Sequence, residues 1–152
     1  MEDRPSVLIV GGYGAFGGRL ARLLLARGGI RVLVAGRSLQ AARAFCDEHG
    51  GDPLRLDRDG DVASVLDRER PFVVVDAAGP FQSYGSEDPY RLARAALLAG
   101  AHYFDLADDG GFVAGIAELD AQAREVQRVA ISGASSVPAI SSAAVRAMAQ
   151  GL

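Results

Sequence analysis

Short runs of apolar residues alternate along this chain with longer segments in which apolar positions recur every three or four residues. Most of the short runs are β-branched or leucine-rich, and Gly, Asp or Pro residues bound them. Runs of this kind are typical of parallel strands that are buried on both faces. The runs that we interpret as strands are 7–10, 32–35, 54–56, 72–75, 103–104 and 129–131.

The longer segments predict helices. They span residues 14–27, 39–49, 61–69, 88–99, 112–127 and a last stretch from about 138 to 150. Ser38 and Asp88 stand where the second and fourth helices need an N-cap, and Gly28-Gly29 stands where the first helix stops. The residues with the spacing of one buried face on the first helix are Phe16, Leu20, Leu23 and Leu24.

The order of these elements predicts the fold class. Strands that alternate with helices over short connections form a parallel sheet with helices on both faces. Right-handed crossovers then favour the doubly wound sheet of the Rossmann fold, here with about six strands. The 152 residues suit one domain with one core, and no internal repeat or linker interrupts them.

A glycine-rich loop, Gly12-Tyr13-Gly14-Ala15-Phe16-Gly17, follows the first predicted strand directly. In a G-x-G-x-x-G loop the first glycine permits the tight turn, the second lets the backbone approach a pyrophosphate, and the third lets the helix pack close to the sheet. The pyrophosphate lies at the helix N-terminus, where free N–H groups and the helix dipole favour an anion. We predict a dinucleotide site here; a glycine-rich turn without a ligand is the alternative.

The end of the second predicted strand indicates which dinucleotide binds. NAD-binding domains carry Asp or Glu there for the ribose hydroxyls, but this chain has Arg37-Ser38. A carboxylate would repel the 2′-phosphate of NADP, whereas Arg37 can pair with it and Ser38 can donate its hydroxyl to it. We therefore predict NADP(H) in preference to NAD(H). In the alternative interpretation Arg37 is a solvated surface residue and Ser38 only a helix cap.

Two further segments complete the predicted cofactor site. Asp57 ends the third predicted strand, near the adenine edge in this fold, and it can accept a hydrogen bond from the adenine amino group. A turn-forming aspartate explains Asp57 equally well. After the fourth strand, small residues leave room for the ribose and the nicotinamide; they are Ala77, Ala78, Gly79 and Pro80.

Composition and charge exclude several functions. A formal net charge of -3 lacks the dense basic field of a nucleic-acid surface. No apolar stretch is long enough to cross a membrane, and the acidic N-terminus does not have the layout of a signal peptide. The single cysteine, Cys46, excludes an internal disulfide. We predict a soluble, cytoplasmic protein with no nucleic-acid or membrane partner.

The sequence assigns no catalytic residue and no metal site. All 16 basic residues are arginine, so the Tyr-x-x-x-Lys pair of short-chain dehydrogenases, a Schiff-base lysine and a P-loop lysine are absent. Asp105, Asp108 and Asp109 cluster without a nearby His or Cys, which indicates a solvated turn rather than a transition-metal site. We interpret His49 and His102 as structural residues.

The motifs, taken together, resemble the NADP-binding domain of the saccharopine dehydrogenase-like family over nearly the whole chain. By position, the resemblance implies that residues 12–17 hold the pyrophosphate, that Arg37 and Ser38 hold the 2′-phosphate, and that residues 78–80 line the nicotinamide side. It also implies that Asp105 and Leu106 lie near the active-site cleft. The matching segments are the glycine loop 12–17, Ala35-Gly36-Arg37-Ser38, Asp76-Ala77-Ala78-Gly79-Pro80-Phe81 with Tyr84-Gly85, Gly100-Ala101-His102-Tyr103-Phe104-Asp105-Leu106, and Gly133-Ala134-Ser135-Ser136-Val137-Pro138.

The resemblance implies an NADP-dependent oxidoreductase that transfers a hydride between nicotinamide and a small substrate of C=N or C=O type. We expect residues 1–152 to be its N-terminal domain and a C-terminal substrate domain to be absent. Lysine-pathway members tend to carry a Gly-x-Asp-Pro-Gly segment after the sixth strand, and the acid-free segment 133–138 argues against saccharopine as the substrate. The alternative is a non-catalytic dinucleotide-binding or interaction module. Pairing into a homodimer stays open.

Overall fold

The structure, a computed structural model, describes residues 4–81 and 88–149 of the chain. Tyr84 and Gly85, which are part of the family resemblance, lie outside these residues, and so does Gln150, the predicted end of the last helix. Within the described ranges, no helix is long and apolar enough to cross a membrane.

Strands and helices alternate along the chain. The strands are β1 (Ser6–Val10), β2 (Arg31–Gly36), β3 (Asp52–Arg55), β4 (Val73–Asp76), β5 (His102–Asp105) and β6 (Ala130–Ile131). The helices are α1 (Ala15–Arg27), α2 (Leu39–His49), α3 (Val62–Glu69), α4 (Arg91–Leu98), α5 (Gly110–Gly115), α6 (Asp120–Glu125) and α7 (Ser141–Ala149). A 3₁₀ turn (Ile116–Leu119) separates α5 from α6, and a π-helical turn (Ser136–Ile140) leads into α7.

The six strands form one parallel sheet in the order β3-β2-β1-β4-β5-β6. This confirms the predicted doubly wound, Rossmann-type α/β fold. The direction in which strands are added reverses between β1 and β4. In open parallel sheets, ligands bind at the carboxyl ends of the strands beside this switch point.

Each central strand supplies side chains to two apolar layers. In β1, Val7 and Ile9 pack on one face of the sheet with residues of α1 and α2. Leu8 and Val10 pack on the other face with residues of α3, α4, α5 and α6. Because successive side chains of a strand point to opposite faces, a strand covered by helices on both sides is apolar throughout. The core therefore confirms the interpretation of the central strands.

The two edge strands depart from the prediction that every strand is buried on both faces. In β3 only Leu54 is buried, and neither residue of β6 is. An edge strand has a neighbour on one side only, so its backbone and side chains stay accessible to solvent. The predicted third strand also ended at Leu56, which is buried but follows β3.

The buried face predicted for α1 is wrong in part. Phe16 is 75% exposed and Leu23 is 62% exposed. The buried residues of α1 are instead Gly17, Gly18 and Ala21. These small residues let the helix axis approach the sheet closely, and the larger apolar side chains then lie at the flanks of the contact.

Some helix starts also differ from the prediction. Asp88 does not cap α4; its carboxylate accepts a hydrogen bond from Arg94 at 3.4 Å, and the helix begins at Arg91. The fifth predicted helix begins earlier than expected, because the Asp109 carboxylate caps it by accepting the Phe112 N–H at 2.8 Å. That segment is also divided by the 3₁₀ turn. The predicted cap at Ser38 is confirmed. Asp61, predicted as the first residue of the third helix, is instead the N-cap of α3.

Candidate functional site

The carboxyl ends of the strands open onto two adjoining cavities. The β2-side cavity, about 480 Å³, is lined by the loops after β1, β2, β3 and β4. The β5-side cavity, about 730 Å³, lies between α1 and the loops after β4, β5 and β6. Ala77, Gly79 and Pro80 line both and form the wall between them.

Most of the residues predicted for cofactor binding meet at these cavities. Phe16 lines the β5-side cavity. Gly12, Gly17 and Ser38 line neither. Those that line the β2-side cavity are Tyr13, Gly14, Ala15, Arg37, Asp57, Ala77, Ala78, Gly79 and Pro80.

The loop from β1 to α1 needs glycine at two successive positions. Gly11, which the motif does not include, has a φ of 75°, in the left-handed region. Gly12 has an ordinary φ, but a Cβ there would lie 2.8 Å from the Ile9 carbonyl oxygen. The N–H groups of both glycines donate to the Ala35 carbonyl, at 2.9 and 3.0 Å. The turn is therefore fixed against the end of β2.

The N-terminus of α1 points into the cleft with its backbone N–H groups uncapped. Gly14 is the N-cap residue, no side chain caps the helix, and no acidic residue lies in its first turn. A Cβ on Gly17 would lie 2.3 Å from the Gly11 carbonyl oxygen, so the helix packs directly on the loop. The first N–H groups of a helix have no partner within the helix and favour an anion. This arrangement fits a phosphate group.

Tyr13 connects the glycine loop to the end of β2. Its ring lies against Gly36, where a Cβ would be 2.5 Å from the ring, and its hydroxyl accepts the Ser38 N–H at 3.1 Å. Ser38 in turn accepts the Ala41 N–H at 3.2 Å, so its hydroxyl hydrogen is left to donate. Arg37 is exposed at the cavity and makes no hydrogen bond or ion pair with the residues that the structure describes.

The loop after β3 contains one predicted residue and one that the sequence analysis missed. The Asp57 carboxylate accepts the Asp59 N–H at 3.1 Å, as the alternative interpretation of Asp57 as a turn-forming aspartate predicted. Asp57 also lines the β2-side cavity. Arg58 lines the same cavity with a side chain that is 20% exposed. Its position at the carboxyl end of a strand was the available signal, but a single arginine in an Asp-rich turn does not stand out.

With this geometry established, comparison with known proteins identifies the family. Residues 7–146 match the family described as saccharopine dehydrogenase NADP binding domain. This chain belongs to that family. The cofactor is accordingly NADP, as the sequence predicted, and the uncapped N-terminus of α1 and the exposed Arg37 fit a ligand with several phosphate groups. Comparison with curated protein sequences finds no match.

Solved structures similar to this NADP-binding domain support the fold alone, since their sequence identities are low. Saccharopine dehydrogenase (L-Glu forming) from Saccharomyces cerevisiae has a TM-score of 0.66 and 20% identity over 86% of this chain and 27% of its own. A 3-ketoreductase from Actinomadura kijaniata in complex with NADP has a TM-score of 0.62 and 22% identity over 86% and 38%. A protein of gentamicin A biosynthesis in complex with NAD is nearly as similar, with a TM-score of 0.60 and 23% identity over 88% and 35%. The chain thus spans between a quarter and two fifths of these proteins.

Two carboxylates are buried beneath the cleft of this NADP-binding domain. Asp76 and Asp105 end β4 and β5, are partners in the sheet register, and are both 0% exposed. The pKa of Asp76 is raised to about 7. Burial is the largest cause and Asp105 adds to the rise, whereas the Ala78 N–H and Arg58 oppose it. Tyr103 lies in the same cluster, and burial together with the two carboxylates raises its pKa well above the ordinary value. Near neutral pH Asp76 is therefore present in both its protonated and its charged form.

Asp105 connects three loops at this end of the sheet. Its Oδ1 accepts the Ala107 N–H at 3.0 Å, and the Ser132 hydroxyl and the Gly133 N–H at 2.8 Å each. Its Oδ2 is buried with no hydrogen-bond partner among the described residues. The predicted solvated turn is therefore wrong for Asp105. Leu106, the next residue along the chain, lines the β5-side cavity.

The histidines have structural contacts. His102 Nδ1 accepts the Val129 N–H at 3.2 Å, and its ring packs edge-on against Phe72 with the ring centroids 5.0 Å apart. His102 begins β5, at the opposite end of the sheet from the cleft. The ring of His49 packs against Phe45. Among residues 4–81 and 88–149, no group of three or more His, Cys, Asp or Glu could hold a metal ion.

The raised pKa of Asp76 predicts a pH dependence of stability. Unfolding returns the carboxyl to its ordinary pKa of 3.8, below the folded value of about 7. Between these values the folded state binds more protons, so the free energy of unfolding falls as pH rises from about 4 to 7 and levels off above that. The loss is on the order of a few kcal/mol. Urea unfolding at a series of pH values measures it.

The matched control for this pH dependence is Asp76→Asn. An asparagine oxygen can still accept the Ala78 N–H but cannot titrate, so the difference between wild type and variant isolates Asp76 from the other acids. If the two proteins lose stability in parallel between pH 4 and 7, Asp76 is not the titrating group.

Proposed function

We propose that this domain holds NADP(H) across the carboxyl ends of β1, β2 and β4 and serves as the cofactor half of an oxidoreductase. In this arrangement the N-terminus of α1 binds the pyrophosphate, and Arg37 and Ser38 bind the 2′-phosphate. Residues 77–80 lie beside the nicotinamide, and Asp57 lies at the adenine edge. The order of these groups along the cleft matches the order of the strands in a doubly wound sheet.

The observation that carries this proposal is the chemistry at the end of β2. An exposed arginine with no described ion pair stands where an acid would select NAD, and it lines the same cavity as the uncapped end of α1. Two positive features on one cavity fit a ligand with phosphate groups at both places.

The reaction that we propose is hydride transfer between nicotinamide and a small substrate with a C=N or C=O group. Bound NADP(H) would supply the hydride acceptor or donor. The chain's own residues orient the nicotinamide and exclude water. Ala77 and Gly79 are small enough to leave room for the ring. Phe16, Leu20 and Pro80 give the β5-side cavity an apolar lining that excludes water. We propose that a further domain completes the substrate site, because this domain covers only part of its structural relatives.

Titration with NADPH and NADH tests the cofactor site. We expect the wild-type domain to prefer NADPH. Arg37→Asp should weaken NADPH binding by about 100-fold or more, because it removes a charge-assisted contact and adds repulsion of the 2′-phosphate. NADH binding should stay equal or improve, because aspartate can accept the ribose hydroxyls. Nicotinamide fluorescence and calorimetric heat report both affinities.

Arg43→Gln is the control, since Arg43 is exposed on α2 and lines neither cavity. Equal affinities of the wild type for the two cofactors, unaffected by Arg37→Asp, would contradict the placement of the 2′-phosphate. Cofactor binding without hydride transfer, in a protein that also carries the proposed further domain, would favour the second candidate, a non-catalytic dinucleotide-binding module. No observation in the structure favours that candidate over the first.

A further inference from the structure

Arg58 is a second arginine in the β2-side cavity, where Arg37 is also found. Most of the Arg58 side chain is packed inside the protein, with 20% of it exposed, whereas Arg37 is exposed. The guanidinium forms an ion pair with the Asp59 carboxylate at 3.9 Å, and Asp59 is 86% exposed. Arg58 is thus held in one place while part of it faces the cleft.

The cavity lining places Arg58 near the end of β4, because Ala77 and Ala78, the two residues that follow β4, line the same cavity. Burial lowers the pKa of Arg58, Asp76 raises it more than any other charge does, and Arg37 lowers it by repulsion. Asp76 is fully buried at the last position of β4. Arg58 therefore reaches from the loop after β3 towards the switch point between β1 and β4, whereas Arg37 stays at the end of β2.

Two positive charges that face one cavity repel each other, and a bound anion relieves that repulsion. The cavity wall around Arg58 includes Gly11 and Ala78, which belong to the loops after β1 and β4. The N-terminus of α1, the proposed pyrophosphate site, begins in the first of these loops. A guanidinium at this place is suited to the phosphate oxygens there, since it offers several donors in a fixed plane.

We propose that Arg58 binds the pyrophosphate of the dinucleotide and that the buried Asp76 is the positioning residue for its guanidinium. The inference rests on the proposed function, because it takes a dinucleotide as the ligand of the cavity. It adds a contact that NADPH and NADH share, in contrast to Arg37, which contacts only the 2′-phosphate.

The contact has a consequence for pH. An anion beside Arg58 disfavours the charged form of Asp76, so ligand binding draws a proton onto that carboxyl. Among the residues that the structure describes, the charged and titratable groups facing Asp76 include Arg58 from the loop after β3 and Tyr103 and Asp105 from β5. Affinity is therefore highest on the acid side and falls as pH rises through about 7, where burial has placed the pKa of Asp76.

The first experiment compares Arg58→Gln with Arg43→Gln by titration with NADPH and NADH. Loss of one charge-assisted phosphate contact should weaken both cofactors by a similar factor, about 10-fold to 100-fold. Arg43→Gln should bind as the wild type does. Thermal unfolding of each variant checks that the fold is intact. Unchanged affinities in a folded Arg58→Gln overturn the inference, and so does a loss confined to NADPH, which would assign Arg58 to the 2′-phosphate.

The second experiment measures NADH affinity between pH 6 and 8.5, because NADH has no 2′-phosphate whose own titration would interfere. The wild type should lose affinity several-fold across this range and take up protons on binding, which calorimetry in buffers of different ionisation enthalpy detects. Asp76→Asn should flatten the profile, since it keeps an acceptor for the Ala78 N–H but cannot titrate.

The outcomes separate the two proposals. If the wild type binds neither cofactor, the proposed function fails, whatever the variants do. If the wild type binds and its pH profile is the same in Asp76→Asn, the positioning role of Asp76 is wrong while the cofactor site stands. A flattened profile together with parallel losses of NADPH and NADH in Arg58→Gln supports the inference.

Discussion

Replacement of Asp105 by alanine is expected to lower the free energy of unfolding by about 3–5 kcal/mol. The Asp105 carboxylate accepts three hydrogen bonds at a position that is 0% exposed, from Ala107, Ser132 and Gly133. Alanine would leave these donors buried without an acceptor, and each such donor costs about 1–3 kcal/mol. Urea unfolding followed by circular dichroism measures the loss.

Two control variants separate this effect from a general loss of charge. Asp105→Asn keeps an oxygen that can accept the same hydrogen bonds, so it should retain more stability than Asp105→Ala. Asp47→Ala removes an exposed carboxylate on α2 and should change stability by no more than about 0.5 kcal/mol. A loss below about 1 kcal/mol in Asp105→Ala would mean that water or other groups satisfy the three donors.

The same variant should disturb the cleft. Asp105 ties the loop after β5 to the loop after β6, and both loops contribute to the β5-side cavity through Leu106 and Ser135. We expect cofactor binding to weaken even under conditions where the variant is folded, because the wall beside the proposed nicotinamide position loses its fixed geometry.

The fold could be predicted because its signals are local and repeated. The central strands are apolar along their whole length, since helices cover both faces of the sheet, and this distinguishes them from exposed strands. The glycine loop and Arg37 were also found from the sequence, because both belong to motifs with fixed spacing from a strand end. The register of β4 against β5, by contrast, depends on how the two strands pair in the folded sheet, and no local motif in the sequence indicates it.

Two features depend on tertiary contacts that periodicity does not encode. Phe16 and Leu23 have the spacing of a buried face, yet the smaller Gly17 and Ala21 take that place against the sheet. Asp105 looks like one acid of a solvated cluster, and two of its three hydrogen-bond donors, Ser132 and Gly133, come from the loop after β6, 27 to 28 residues further on. These partners cannot be identified by reading the segment around Asp105 alone.

Arg58 was missed for a related reason. The role proposed for it depends on the buried Asp76, which lies on β4, and on Arg37, which lines the same cavity. Arginine is the only basic residue type that this chain contains, so one more arginine in a polar loop gives no signal. The neighbours in space, and not the neighbours in sequence, distinguish Arg58 from the solvated arginines.

Substitution of Gly17 by alanine is expected to destabilise the domain and to abolish NADPH binding. The added Cβ would lie 2.3 Å from the Gly11 carbonyl oxygen, a backbone atom that cannot rotate away. Either α1 moves off the loop or the loop loses its left-handed turn, and both changes displace the N–H groups that face the cleft. The gain in helix propensity from glycine to alanine, about 1 kcal/mol, is too small to offset this. Thermal unfolding and NADPH titration report the two effects.

Gly14→Ala and Gly110→Ala show which part of the effect belongs to the ligand site. At Gly14 the new Cβ would lie 3.1 Å from the Gly11 carbonyl oxygen, so a small shift accommodates it, but it would occupy space at the cavity where the pyrophosphate is proposed to approach. We expect Gly14→Ala to stay folded and to bind NADPH more weakly. At Gly110 no atom lies within 4 Å of the new Cβ, so that variant should match the wild type in both assays. Normal NADPH binding by Gly14→Ala would contradict the proposed position of the pyrophosphate at the start of α1. If Gly14→Ala is stable but binds NADPH weakly, and Gly17→Ala is unstable, then Gly14 is the glycine that leaves space for the ligand and Gly17 is the glycine that lets the helix pack on the loop.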